Sequence, residues 1–445
     1  MLAAKQAGSS PSRQLKAPSV GFALDGSGAA AVRERGRGVP VQSTPPSPTF
    51  AQHLRAQAVA AADTEVNAEL TRILEALERS FREISLLLRY GLRTAGSDME
   101  AEALHARSEN DVWQRQVLRQ DQRVADILLE SLRGTRTSAV ALETHEGVVD
   151  FELEEEEDEP SADETGSAPP AAPPAPVSTD PMDFYTAATP QTSYTSSRTV
   201  RPPSKRPRFV VVLDPLGHAL NVDAGVSVGT IFGIYKSTED SKCAESTSRV
   251  LKRGTELIAA GYALYGASTQ LVISRGHGVD GFTLHPVLEE FMLTRPRLQM
   301  PPTGKVYSVN LGHRHEWSSA VVMHVEGLAR TKSLRYIGTF VADVHRTLLY
   351  GGVFFYPPSR KRPVGKLRLV YEITPVAFLM EQAGGACTTG DARVLDMQAT
   401  SINQCVPVAF GSLHDVEAYV RDYAVASPVI DRPPTRGLMR LASIS

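Results

Sequence analysis

The sequence predicts an α/β protein in which helices and strands pack in layers. Apolar residues recur at i, i+3 and i+4 from 69 to 92, which indicates one long amphipathic helix. Beyond Asp214, short apolar runs interrupted by glycine dominate, and such runs are typical of strands. Helical patterns return at 334–350 and 375–383. These helices exclude an all-β fold and favour mixed layers.

The first part of the chain, 51–149, is predicted to be mainly helical. The long helix presents one apolar face, made of Leu70, Ile73, Leu74, Leu77, Phe81, Ile84 and Leu88. A second, less regular helix is predicted from 117 to 132, and residues 138–142 could form a short strand that ends at Glu143.

The core of the fold is predicted at 206–425. Residues 209–212 are apolar and run into Asp214-Pro215, a pattern that indicates a buried strand ending in a carboxylate and a turn. Open α/β sheets often place their chemistry at the carboxyl end of a strand. Further strands are predicted at 226–235, 258–265, 269–274 and 281–284, and a last helix at 414–423.

Composition excludes several classes of function. The formal net charge is −3, so no global positive field recruits nucleic acid or a membrane surface. No apolar run reaches the length of about 18 residues that a membrane span needs. The three cysteines lie far apart, which argues against a disulfide framework and favours a reducing, cytoplasmic compartment.

Three segments are predicted to lie outside the folded part. Residues 1–50 are rich in Ser and Arg and poor in acids, which fits a disordered tail or, alternatively, a plastid or other organelle transit peptide. Residues 150–205 begin with ten acidic residues within 150–164 and continue rich in Pro, Ser and Thr, so a disordered insertion is predicted. Residues 426–445 form a C-terminal tail.

One stretch closely resembles a known family. Asp214-Pro215-Leu216-Gly217-His218-Ala219-Leu220-Asn221-Val222-Asp223 is similar to the loop Asp-Pro-Leu-Asp-Gly-Ser-Ser-Asn-Ile-Asp of the fructose-1,6-bisphosphatases of animals and plants. Residues 226–235, 259–266, 335–338, 341–348 and 365–372 also look like that family. The resemblance is strong over 208–424 and weak over 69–143. It implies an α-β-α-β-α layered fold, usually a homotetramer, and Mg²⁺-dependent hydrolysis of fructose 1,6-bisphosphate to fructose 6-phosphate and phosphate in gluconeogenesis.

Carried over by position, the resemblance implies a metal site that this chain keeps only in part. Glu143, Asp214, the Leu216 carbonyl and Glu372 match metal ligands, and Asp214 and Glu143 match catalytic residues. The remaining acidic positions fall on Gly217, Thr144 and, by a loose alignment, a residue near Gln116. His218, Ala219 and Leu220 replace the Gly-Ser-Ser that holds the 1-phosphate, and an imidazole at 218 would favour Zn²⁺ or Mn²⁺ over Mg²⁺.

The residues that the resemblance assigns to the sugar and its 6-phosphate are better preserved. They are Asn310, His313, Arg335, Tyr336, Tyr356 and Lys366. In the family the Arg comes from a neighbouring subunit, which predicts an oligomer. His313 stands where the family has Tyr, and Phe340 where it has Met.

Two hypotheses follow from these departures. The chain is an active phosphatase, or it is a catalytically impaired pseudoenzyme that binds fructose 1,6-bisphosphate or fructose 6-phosphate as a regulatory or structural subunit. The second hypothesis allows a hetero-oligomer with an active homologue beside the homo-oligomer.

Overall fold

A computed structural model of the chain describes residues 47–60, 64–90, 109–145, 147–151, 208–237 and 246–426. Of the predicted outer segments, 1–46, 152–207 and 427–445 lie outside these residues. The helices are α1 Phe50–Ala60, α2 Thr64–Tyr90, α3 Glu109–Arg133, α4 Ser319–Thr331, α5 Phe340–Tyr350, α6 Thr374–Gln382 and α7 Leu413–Ala426. None of these helices has the length and hydropathy of a membrane span.

The described strands form two large sheets. They are β1 Thr137–Leu142, β2 Val148–Asp150, β3 Phe209–Gly217, β4 Val228–Lys236, β5 Leu257–Tyr265, β6 Thr269–Ser274, β7 Asp280–Leu284, β8 Phe291–Arg295, β9 Val306–Ser308, β10 Ser333–Leu334, β11 Val353–Tyr356, β12 Leu367–Arg368, β13 Gly385–Thr388, β14 Cys405–Val406 and β15 Val408–Ser412. The first sheet has the order β2-β1-β3-β4-β5-β6-β7-β8, and the second β10-β9-β11-β15-β13, while β12 pairs with β14.

The parallel pairing of β1 with β3 positions the acidic residues. The other pairings of the first sheet are antiparallel, but Val140, Ala141 and Leu142 lie opposite Val211, Val212 and Leu213 in a parallel ladder. Parallel strands end at the same edge of a sheet. Glu143 therefore follows β1 beside Asp214, and its N–H donates to the Leu213 carbonyl over 3.0 Å.

Three apolar cores separate five layers. On one face of the first sheet Phe209, Val211 and Leu213 pack against α1, α2 and α3. On the other face Val210 and Val212 pack against α5 and α6, which also cover the second sheet. The far face of the second sheet packs against α4 and α7. The predicted α-β-α-β-α layering is confirmed. Successive apolar side chains of β3 point to opposite faces of the sheet, so helices can pack on both faces.

Element boundaries differ from prediction in several places; β3, for example, does not end at Asp214 but continues to Gly217. The helix predicted from 334 is wrong in its first part, because Ser333–Leu334 pair as β10 and Gly338 has φ 88°, so α5 begins at Phe340. Helix α4 was not predicted, although Ser318 accepts from the Val321 N–H as an N-cap. Asp150 is the last residue of β2, so the predicted insertion begins later than 150.

His345 on α5 gives the folded chain a pH-dependent stability. Burial, and secondarily the Arg295 charge, lower its pKa from 6.5 to about 4, and Nδ1 lies 2.7 Å from the Tyr262 hydroxyl. Between these two values the unfolded chain binds more protons than the folded chain. The contribution of His345 is therefore complete above pH 6.5 and is lost as pH falls towards 4, by up to about 3 kcal/mol.

His345→Gln should flatten this dependence, because Gln can accept from Tyr262 but does not titrate. Urea unfolding of both proteins at pH 5.0 and 7.5 measures it, and the wild-type protein should lose more free energy of unfolding on acidification. Equal losses in the two proteins would contradict the assignment.

Candidate active site

Four carboxylates meet at the shared edge of β1 and β3. We call Asp121, Glu143, Asp214 and Glu372 the carboxylate cluster. Asp214 is only 2% exposed, and its carboxyl is hydrogen-bonded to that of Glu143. Glu372 lies in a single π-helical turn, Leu369–Ile373, which packs against β3. Such turns are frequent at functional sites.

A bulge turns the backbone just after Asp214. Asp214 lies opposite Ile231, and Gly217 lies opposite Gly229. Three residues of β3 therefore span the same distance as two residues of the antiparallel strand β4. The extra residue on β3 is accommodated at 215–216, where the Pro215 carbonyl accepts from the Thr230 hydroxyl over 2.6 Å. Bulges of this kind re-aim the chain next to active sites. Leu216, the predicted carbonyl ligand, lies within this bulge.

Burial and mutual repulsion raise the pKa values of Asp214, Glu372 and Asp121. The pKa of Asp214 is raised well above its usual value by burial, then by the charges of Glu143, Glu372 and Asp121. Burial also raises the pKa of Glu372 to about 7, partly offset by the Arg368 N–H. The pKa of Asp121 is raised to about 7 by burial and by Glu143. The cluster must therefore share protons or cations near neutral pH.

Asp121, five residues beyond Gln116, is a member of the cluster that was not predicted. It stands on α3, and its Oδ1 is buried with no hydrogen-bond partner among the described residues. The sequence contained the signal: Asp121, Val124, Ala125 and Leu128 have the i, i+3, i+4, i+7 spacing of a buried helix face. An acid on that face is unusual and marks a site.

Arg368 neutralises part of the cluster. Its Nε donates to Glu143 Oε1 over 2.7 Å, and its backbone N–H donates to Glu372 Oε2 over 2.6 Å. Within the described residues no three His, Cys, Asp or Glu side chains converge on one point as metal ligands do.

Two positions where the resemblance implies an acid, Thr144 and Gly217, contribute no carboxylate to the cluster. Thr144 is exposed and its hydroxyl contacts the His145 ring over 3.1 Å, away from the cluster. A Cβ on Gly217 would lie 2.9 Å from Asp214 Oδ2, so the position directly faces the cluster. His218 adopts the left-handed conformation at φ 63°. Burial and then Lys366 lower its pKa, while Asp343 raises it, which places its ring near both charged groups.

The residues predicted to hold the sugar phosphate come together, except one. We call Asn310, His313, Tyr336, Tyr356 and Lys366 the sugar-phosphate end. The Tyr336 and Asn310 side chains are hydrogen-bonded to each other, and the rings of His313 and Tyr356 are 6.3 Å apart. Lys366 Nζ lies 5.9 Å from the centre of the Tyr356 ring. A cavity of about 250 Å³ opens beside Asn310, His313 and Tyr356.

Lys366 joins the two halves of the site. Its charge acts on both His218 and Glu372, so it stands between the sugar-phosphate end and the carboxylate cluster. Gly365 directs the chain there: it has φ 85°, and a Cβ would lie 2.2 Å from the Val406 carbonyl carbon. Only glycine fits so close to another backbone.

Arg335 lies apart from this group. Its side chain is exposed, and Nη1 donates to the carbonyl of the preceding Leu334 over 2.7 Å. Phe340, at the start of α5, is buried against Phe354 and Phe410.

Comparisons with known proteins match most of the described chain. Family models described as the N-terminal and C-terminal domains of fructose-1-6-bisphosphatase match residues 194–296 and 300–424. The cytosolic fructose-1,6-bisphosphatase of Arabidopsis thaliana is 50% identical over 228 residues, which are 50% of this chain and 66% of that protein. Its counterpart from indica rice is 49% identical, over 67% of its length.

A solved structure supports the same assignment. The holo form of Leishmania major fructose-1,6-bisphosphatase superposes with a TM-score of 0.63 and 26% identity, over 85% of this chain and all of that one. The aligned part spans just under two thirds of the Arabidopsis protein, at 66%. Both domain models match this chain, and the rice protein is 49% identical to it over 67% of the rice protein's length. Together with the similar solved structure, these matches show that the chain belongs to the fructose-1,6-bisphosphatase family.

Proposed function

We propose that the chain hydrolyses fructose 1,6-bisphosphate to fructose 6-phosphate and phosphate. One observation carries the proposal: the carboxylates around Asp214 lie near a group of side chains that contains Lys366, two tyrosines and an amide. Such a pair of neighbouring regions suits a phosphorylated sugar, because cations must offset the charge at the reacting phosphate while neutral donors hold the other phosphate.

The donor set fits a hard divalent cation. All candidate ligands, Asp121, Glu143, Asp214, Glu372 and the Leu216 carbonyl, supply oxygen, which Mg²⁺ prefers. The buried, unpartnered Asp121 Oδ1 and the raised pKa values indicate that a positive charge would stabilise the cluster. Bound there, Mg²⁺ would neutralise phosphoryl oxygens and activate water. The loss of a carboxylate at Gly217 predicts weaker binding than five acidic ligands would give.

The side chains of the cluster supply the proton chemistry. The carboxyls of Asp214 and Glu143 are hydrogen-bonded to each other, and the raised pKa of Asp214 makes its carboxylate a stronger base. This pair can accept a proton from the water whose oxygen bonds to phosphorus. The bond between phosphorus and the sugar oxygen then breaks, and the proton passes to that oxygen. Asn310, Tyr336, Tyr356 and Lys366 hold the sugar and its second phosphate.

We further propose a cytosolic homo-oligomer, since its relatives are named cytosolic and the exposed Arg335 is placed to serve a neighbouring copy. Nothing in the comparisons supports a hetero-oligomer or the pseudoenzyme hypothesis. The direct test is phosphate release from fructose 1,6-bisphosphate by the purified full chain, in EDTA and with Mg²⁺, Mn²⁺ or Zn²⁺. Turnover that requires Mg²⁺ supports the proposal. Sugar-phosphate binding without turnover in any metal would contradict it.

Lys366→Met should weaken the binding of fructose 6-phosphate roughly 30-fold, equal to about 2 kcal/mol, because the variant removes a charge-assisted contact to the ligand. Calorimetry gives Kd, and the rise in Tm with fructose 6-phosphate should vanish. Lys305→Met removes an exposed charge just before β9 and should leave Kd unchanged. Equal Kd values for Lys366→Met and the wild-type protein would remove Lys366 from the site.

A further inference from the structure

Asp343 is a buried carboxylate that the chemistry above does not use. It stands in the first turn of α5 and is only 1% exposed. Its Oδ1 accepts from the Ser308 hydroxyl over 2.9 Å and from Arg346 Nη1 over 2.6 Å. Its Oδ2 accepts from the N–H groups of Ile337 and Gly338, both over 3.2 Å.

These partners belong to two segments that are remote in sequence. Ser308 ends β9, two residues before Asn310. Ile337 and Gly338 follow Tyr336 directly and precede α5. One carboxylate therefore connects the strand that leads to Asn310 with the turn that follows Tyr336. The side chains of Asn310 and Tyr336 are hydrogen-bonded to each other.

The same turn also contacts the loop that follows β3. Thr339, next to Gly338, accepts from Asn221 Nδ2 over 2.6 Å, and the Asp343 N–H donates back to the Thr339 carbonyl. The turn needs such an anchor, because Tyr336 and Ile337 are 36% and 45% exposed and have little packing to hold them. A buried charged acceptor with several donors is a strong restraint on backbone position.

We propose that Asp343 is a positioning residue for the sugar-phosphate end: by binding Ser308 and the 337–338 backbone together, it fixes Tyr336 relative to Asn310. The proposal rests on the function proposed above. Asp343 does not touch the carboxylate cluster through any described hydrogen bond, so its loss should affect binding of the sugar phosphate rather than the chemical step.

Asp343→Asn tests this with the full-length protein. The amide keeps the shape but presents an NH₂ group to backbone or guanidinium donors, so one restraint becomes a repulsion. We expect KM for fructose 1,6-bisphosphate and Kd for fructose 6-phosphate to rise about 10-fold, with kcat within about twofold of wild type. Unchanged KM and Kd would overturn the proposal, as would a fall in kcat alone.

Asp415→Asn is the matched control for a general loss of stability. Asp415 is also buried, accepts from the Gly304 N–H over 2.9 Å and pairs with Lys332 over 2.9 Å, but it belongs to α7. It should lower Tm and leave KM unchanged. If Asp415→Asn raises KM as much as Asp343→Asn does, positioning by Asp343 is refuted. Should Asp343→Asn fail to fold, Ser308→Ala removes one bond and is expected to raise KM about threefold.

Amide hydrogen exchange separates this proposal from the proposed function. In Asp343→Asn the Ile337 and Gly338 amides should exchange at least about 10-fold faster, while those of Val408–Ser412 in β15 stay unchanged. A wild-type protein without turnover or sugar-phosphate binding would contradict the function, and the exchange result would still decide whether Asp343 anchors the turn. Unchanged exchange at both amides would overturn the anchor.

Discussion

Replacing Asp214 with Asn should lower kcat for fructose 1,6-bisphosphate by about a thousandfold, equal to about 4 kcal/mol of transition-state stabilisation. The charges of all three other carboxylates of the cluster act on Asp214, which is buried among them. Its loss removes a proposed metal ligand and one half of the hydrogen-bonded acid pair with Glu143. Phosphate release at saturating Mg²⁺ measures the effect.

The Tm of the Asp214→Asn variant should not fall together with its kcat. The amide of the Asp214→Asn variant would keep the shape and could donate to Glu143, while one buried negative charge disappears, so Tm in EDTA should stay level or rise. Thr144→Ala alters an exposed neighbour of Glu143 that lies away from the cluster and should keep wild-type kcat. An Asp214→Asn protein with more than a tenth of wild-type kcat would refute the assigned role.

Restoring the family loop, with Gly217→Asp, His218→Gly, Ala219→Ser and Leu220→Ser together, should raise kcat at saturating Mg²⁺ by roughly 10- to 100-fold. The Cβ of a side chain at 217 would lie only 2.9 Å from Asp214 Oδ2, so the Asp214 carboxylate must shift to admit a fifth carboxylate beside it. Glycine at 218 also removes the left-handed strain of a residue with φ 63°.

Metal dependence of stability distinguishes this mechanism from a simple improvement in folding. In EDTA the fifth carboxylate should lower Tm, because it increases repulsion around buried Asp214, and Mg²⁺ should restore it. The triple variant that keeps Gly217 should lack this response. If the quadruple variant gains neither activity nor a Mg²⁺-dependent Tm, the missing carboxylate at 217 is not what limits the protein.

Local sequence patterns predicted mixed α and β layers, and the family resemblance supplied three members of the carboxylate cluster, Glu143, Asp214 and Glu372. Glu143 follows β1 and Asp214 lies in β3 just after its apolar run, so their meeting required only a parallel pairing of those strands. Asp121 was missed because its position depends on a loosely aligned helix, although its place on the apolar face was visible. The Arg368–Glu143 ion pair and the anchoring by Asp343 could not be predicted, since they join side chains from separate elements whose approach is set by packing.

Because β1 and β3 pair in parallel, the site can form almost regardless of how many residues separate the two strands. Glu143 and Asp214 are joined through β2 and the long connection 152–207, yet five paired positions, from Thr137 with Phe209 to Leu142 with Leu213, fix their register. The entropy of closing a flexible loop changes by only about 0.6 kcal/mol for each doubling of its length. Insertion of further residues between 152 and 207 should therefore leave Glu143 and Asp214 in register.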